Sequence, residues 1–128
     1  MRVKLIAMIR RRSDLSPQEF REYYEHRHVP LATRLLPYFA EYRRNYIDHS
    51  KHVVPEHQND STSGTAPPLD YDVITEFIYA SEEDYRQSMA AMADPEIGRI
   101  FAEDEARFMD RQSITILFVD EVASAQPV

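Results

Sequence analysis

A ferredoxin-like α+β fold, with helices packed on a four-stranded antiparallel sheet, follows from the order of periodic segments along this 128-residue chain. Three observations predict it. Segments 3–9, 39–48, 71–79 and 113–119 are apolar or alternate in the manner of strands. Capped helical segments follow the first and third of them. The resulting order is βαββαβ.

The first strand, V-K-L-I-A-M-I at 3–9, is apolar at nearly every position, which predicts cover on both faces of the sheet. Ser16-Pro17-Gln18-Glu19 then supplies a serine cap, a proline at the first helical position and a glutamate that reaches back to the cap, so a helix starts there. Phe20, Tyr23, Tyr24 and Arg27 form its stripe. Pro30 is expected to interrupt it, and a second helical turn at 31–36 stops before Pro37. In the second strand, 39–48, alternation puts Phe39, Glu41, Arg43, Asn45 and Ile47 on one face. Residues 49–70 are polar and rich in Ser, Thr, Asp and Pro, which reads as a mobile inserted loop.

Alternation in the third strand, 71–79, sets Asp72, Ile74, Glu76 and Ile78 on one side and Tyr71, Val73, Thr75 and Phe77 on the other. Ser81 followed by three acidic residues starts a helix with the stripe Tyr85, Met89 and Met92. Asp94-Pro95 starts another, running through Ile97, Ile100, Phe101 and Phe108. The last strand occupies 113–119. Residues 1–122 thus read as one domain, and 123–128 as a frayed tail.

A chain of this length can bury a core without staples. It has no cysteine, which excludes thiol catalysis, thiolate-bound zinc, iron–sulfur clusters and disulfides. A formal charge of −7 repels a phosphate backbone, so nucleic acid is not an expected partner. No run approaches the roughly 20 apolar residues of a membrane span, and Met1-Arg2-Val3-Lys4 leads into a strand instead of a signal peptide, which predicts a cytoplasmic protein. Only two glycines occur and no phosphate-binding loop is present, so no cofactor is expected. The outer face of the sheet would carry Ile, Phe and Met side chains from the first and last strands. A homodimer that pairs two such faces would bury them, and loop 49–70 folding over the sheet is the alternative.

The pieces L-I-A-M-I-R-R-R at 5–12, L-S-P-Q-E-F-R-E-Y-Y at 15–24, H-R-H-V-P-L at 26–31, R-R-N-Y at 43–46, D-Y-D-V-I-T-E-F at 70–77 and D-E-A-R-F-M-D-R at 104–111 resemble the EthD family. The resemblance implies a dimeric α+β barrel with a pocket between sheet and helices. Its members perform lactone isomerisation, decarboxylation or dehydration of fungal polyketides, and accessory roles in oxidative degradation. The inserted loop and the D-Y-D-x-I-x-E spacing resemble the fungal polyketide-metabolism members more than the short bacterial ones.

His28 matches the family's H-x-P-L position, and its imidazole could exchange a proton near neutral pH at a pocket mouth; the other reading is a histidine capping helix carbonyls. Asp72 and Glu76 share a face expected to be enclosed, where desolvation would raise their pKa, or they pair with Arg43 or Arg44. Arg43 and Asn45 are candidates to orient a substrate carbonyl, enolate or carboxylate, or else to make cross-strand bonds. Among the aromatic residues Tyr24, Tyr46 and Phe77 are candidate pocket walls, although aromatic side chains are ordinarily core. His49, His52 and His57 are loosely spaced in a polar loop, and no metal site is expected of them. The acids and arginines of 104–111 read as ion pairs anchoring the last helix.

The leading expectation is a cofactor-independent enzyme that acts by proton transfer on a polyketide-like aromatic acid or lactone, with decarboxylation, dehydration, cyclisation or isomerisation as outcomes. His28, Asp72 and Glu76 would be catalytic. Two alternatives stay open: a cofactor-free, oxygen-using oxidoreductase acting on a phenol, and a non-catalytic protein that binds an apolar or aromatic small molecule.

Overall fold

The computed structural model describes residues 2–51, 53 and 70–125. Its elements are β1 (Val3–Ile9), α1 (Pro17–Tyr23), a π-helical turn (Tyr24–His28), α2 (Val29–Leu35), β2 (Glu41–Tyr46), β3 (Val73–Tyr79), α3 (Glu82–Met92), α4 (Pro95–Ala106), a 3₁₀ turn (Arg111–Ser113) and β4 (Thr115–Val119). The strands form one sheet in the order β2-β3-β1-β4, antiparallel throughout. This is the ferredoxin-like α+β fold expected from the element order. The loop expected at 49–70 and the tail at 123–128 fall largely outside the described residues.

Local chemistry accounts for the helix starts. Ser16 and Glu19 complete a reciprocal capping box, with bonds of 3.1 and 2.9 Å. Ser81 accepts from the Asp84 N–H, and Asp94 from those of Glu96 and Ile97. Each cap is worth about 1 kcal/mol.

Register places Leu5, Ala7 and Ile9 of β1 opposite Phe77, Thr75 and Val73 of β3, and this face carries the helices. The core beneath them joins Ala7, Ile9 and Val73 to Phe20, Tyr24, Phe108 and Met109. Phe108 is its hub, with ring centroids 5.7 Å from Phe20, 4.9 Å from Tyr23, 5.4 Å from Tyr24 and 5.0 Å from His28. A second cluster of Ala32, Leu36 and Phe101 continues the core under α2 and α4. On the other face of β1, Lys4, Ile6 and Met8 are half-buried.

Two expectations about the first helix are corrected. Pro30 does not break the helical run; it sits at the start of α2, directly after the π-helical turn. Arg27 is exposed, and His28 takes its place on the buried side. The cause is the wider turn. A π-helix advances more residues per turn than an α-helix, so the inward positions run Phe20, Tyr24, His28 at four-residue steps and do not fall back to Arg27.

Candidate functional site

A cavity of about 370 Å³ opens between the helices and the sheet. Leu5, Tyr42, Phe77 and Tyr79 form its floor, His28 and Ala32 one wall, and Ser88, Met92, Phe101 and Glu105 the other. Ile116 and Phe118 of the edge strand β4 stand at its rim, 57% and 66% exposed. The lining is mainly apolar, with a few polar groups converging on it, which is the usual composition of a small-molecule site.

His28 is the most constrained of those polar groups. Its ring is buried and set by the π-helical turn, edge-on to Tyr24 and packed against Phe108. Nδ1 lies 2.7 Å from Oδ2 of Asp104, and Oδ1 of Asp104 accepts the Tyr23 hydroxyl, also at 2.7 Å. Burial alone would push the Asp104 carboxyl up, but these two bonds, with the charges of His28 and Arg107, outweigh it and hold the group below the usual aspartate range. An ionised carboxylate only accepts, so Nδ1 carries a proton, and whenever the ring is neutral the lone pair is on Nε2. Nε2 has no partner among the described residues, none of which leaves a fully buried side-chain nitrogen or oxygen unpaired, so Nε2 keeps access to open space. A carboxylate-oriented imidazole of this kind is the standard arrangement of a general base.

A larger groove of about 660 Å³ follows Arg10, Arg11, Arg12 and Arg111. It is a weaker candidate, because its guanidinium groups already have acidic partners: Arg10 pairs with the carboxylate of Asp110 at 3.0 Å, Arg11 with that of Asp72 at 2.7 Å and Arg12 with that of Asp14 at 2.6 Å, while Arg111 Nε donates to Oε1 of Glu105 at 3.2 Å.

The EthD domain model matches residues 12–112. The chain belongs to the EthD family. Among solved structures it resembles an EthD-family protein from Bacillus halodurans, with 24% identity, a TM-score of 0.59, and 95% of this chain and all of that one covered. SnoaB from Streptomyces nogalater, described as a cofactor-independent oxygenase, matches at 11% identity and a TM-score of 0.57, covering 96% of this chain and 95% of its own. A Thermobifida fusca protein described as dimeric and ferredoxin-like matches at 15% identity and a TM-score of 0.51, covering 93% and 90%. None of the curated proteins matches. Among the described residues no helix is long and apolar enough to cross a membrane.

In this EthD domain the sequence-derived site residues divide. His28 and Phe77 line the cavity, whereas Asp72 and Glu76 are tied up elsewhere. Asp72 is bound by the Arg11 N–H at 2.8 Å, the Arg11 guanidinium at 2.7 Å and His49 at 3.0 Å. Burial pushes its carboxyl up, but those bonds prevail and the net shift is downward. Glu76 points away from the helices and pairs with Lys4 at 2.7 Å and Asn45 at 2.9 Å; Lys4 is the main cause of its lowered pKa. The expected upward shift of both acids is therefore corrected: donors close enough to bond each carboxylate outweigh its desolvation.

Asn45 and Arg43 lie on that same far face, Asn45 bonded to Glu76 and the Ile74 carbonyl, Arg43 to Glu41. Tyr24 is buried below the cavity, its hydroxyl bonded to Thr75 at 2.8 Å and to Tyr42 at 3.3 Å. Tyr46 donates to Glu25, which Arg44 clamps through both oxygens. His52 and His57 lie outside the described residues. Sequence reasoning missed Asp104 and Glu105 as site residues, because it read their segment as ion pairs along a helix.

Proposed function

We propose that this EthD domain is an enzyme that binds an apolar, ring-bearing small molecule and moves a proton on it without a bound cofactor, His28 Nε2 acting as the base. The observation that carries this reading is the 2.7 Å bond from Asp104 to His28 at the wall of an apolar cavity. The inserted loop and the D-Y-D-x-I-x-E spacing, read as resembling fungal polyketide-metabolism members, favour a polyketide-like aromatic acid or lactone as substrate. Exclusion of water strengthens the attraction between Asp104 and the imidazolium that forms, and protects a carbanion or enolate. Deuterium incorporation into α-tetralone, an apolar bicyclic ketone with an acidic C–H, tests the assignment. Wild type should accelerate exchange, and His28→Gln should lower the rate by roughly 10²-fold or more. Equal rates would reject His28 as the base.

A second reading is favoured by the structural likeness to SnoaB. Removing a proton from an electron-rich phenol gives an anion that can react with oxygen directly, so the same base could begin an oxygenation. Oxygen uptake with dihydroxynaphthalene separates the two.

The working unit under either reading is a cytoplasmic homodimer. Leu117 of β4 is 46% exposed on the face away from the helices, beside half-buried Ile6, and a second copy would cover both.

A further inference from the structure

We propose that Glu105 is the general acid of this cavity, protonating a leaving oxygen while His28 Nε2 removes a proton from carbon, so that the substrate class is a β-hydroxy ketone fused to apolar rings. The inference rests on the reading of His28 as base.

Asp104 and Glu105 are consecutive on α4, so their side chains diverge by about 100° around the helix axis. Asp104 turns into the helix interface and takes the Tyr23 and His28 donors. Glu105 turns to the cavity, where it is the only acidic lining residue among those described. Its Oε1 accepts from Arg111 Nε at 3.2 Å, and its Oε2 has no partner among the described residues. That oxygen is not sealed in protein, since no fully buried side-chain oxygen there goes unpaired.

Environment drives the two neighbouring acids apart. Burial pushes the Glu105 carboxyl above the usual glutamate value, with His28 and Arg111 pulling only part of it back, while Asp104 is held below its own usual value. Two carboxyls with opposite shifts beside one imidazole separate into a proton donor and an anion that orients the base.

The step balances within the substrate. Nε2 takes the proton from the carbon next to the carbonyl, and the C–H electron pair becomes the new C=C bond. The C–O bond at the β carbon breaks with its electron pair, and the Glu105 O–H protonates the departing hydroxyl, which leaves as water. The site is then imidazolium and carboxylate, and proton transfer from Nε2 to Glu105 through the released water restores both.

Two matched probes test this. α-Tetralone can only exchange its C–H, whereas its β-hydroxy derivative can also lose water to give fluorescent α-naphthol. Glu105→Gln should reduce the ratio of dehydration to exchange by roughly 10²-fold. A parallel fall in both rates would overturn the acid assignment. Wild type that exchanges α-tetralone through His28 but dehydrates nothing would overturn it too, leaving the base assignment standing; wild type that does neither removes both. The wild-type pH profile gives a readout independent of the variant's folding. Dehydration should fall as pH rises through the Glu105 titration, followed by NMR of the isotope-labelled carboxyl, and exchange of α-tetralone should lack that limb. Midpoints that do not coincide would refute the proposal.

Discussion

Replacing Asp104 by Asn keeps the side chain's size and removes its charge, which isolates what the carboxylate does for His28. In the native protein two donors, His28 Nδ1–H and the Tyr23 hydroxyl, converge on Asp104 at 2.7 Å each, in a residue only 5% exposed. A bond to a charged group contributes about 1.5–3 kcal/mol. Asparagine can accept from one donor, while its NH₂ group faces the other, so Asp104→Asn should cost about 2–3 kcal/mol in urea unfolding. Asp104→Ala, which orphans both donors, should cost about 3–5 kcal/mol. The pH dependence has a definite sign. Asp104 has a lowered pKa in the fold, so its contribution is present above the usual aspartate value of 3.8 and is lost as pH falls below that value toward its folded pKa. The asparagine variant should lack that share of the acid limb. Nitrogen NMR of the imidazole should show the Nδ1–H tautomer in wild type and a mixture in the variant. A stability change under about 0.5 kcal/mol with the tautomer unaltered would refute the proposed role of Asp104.

Phe108→Ala removes the ring that touches Phe20, Tyr23, Tyr24 and His28, and should cost about 3–5 kcal/mol by chemical denaturation; a loss below about 1 kcal/mol would mean the cluster closes over the gap. Arg11→Met leaves buried Asp72 with one backbone N–H and His49. Because the Arg11 side chain is itself a third exposed, the cost should be about 1–2 kcal/mol, and the variant should lose less stability than wild type as pH falls below 3.8, since without the guanidinium the folded Asp72 pKa moves back toward its unfolded value while the backbone N–H bond remains. Leu117→Glu places a charge on the apolar far face of β4 and should convert a dimer to a monomer in sedimentation at micromolar concentration; an unchanged mass would place the interface elsewhere.

The fold was legible because its signals are local. Ser16 with Glu19, Ser81 with its acidic turn and Asp94-Pro95 each mark a helix start by chemistry that needs no distant partner. Strand alternation located β1 to within a residue and overran β2, where Phe39 is apolar because it packs on Tyr42, Phe77 and Tyr79, not because it belongs to the ladder. The site was half legible. His28 could be singled out, but its partner Asp104 lies 76 residues away and reads, alone, as one more helical acid. Asp72 and Glu76 misled because alternation gives the side of a sheet and not the donors waiting there: Arg11 and Lys4 come from another part of the chain. The irregular turn itself was not legible, because the four-residue step from Tyr24 to His28 is one that an ordinary α-helix also makes.

That turn also has an evolutionary reading. A π-helical turn amounts to an α-helix carrying one surplus residue, which a single-codon insertion can create and a single-codon deletion can erase. Removing one residue between Tyr24 and His28 would let the segment close as ordinary α-helix, with the imidazole seven residues after Phe20 and still on the inward face. Gaining or losing the wide turn in this way leaves the sheet and its register untouched, so a change in the length of one helix can reset which of its residues face the core without disturbing the rest of the scaffold.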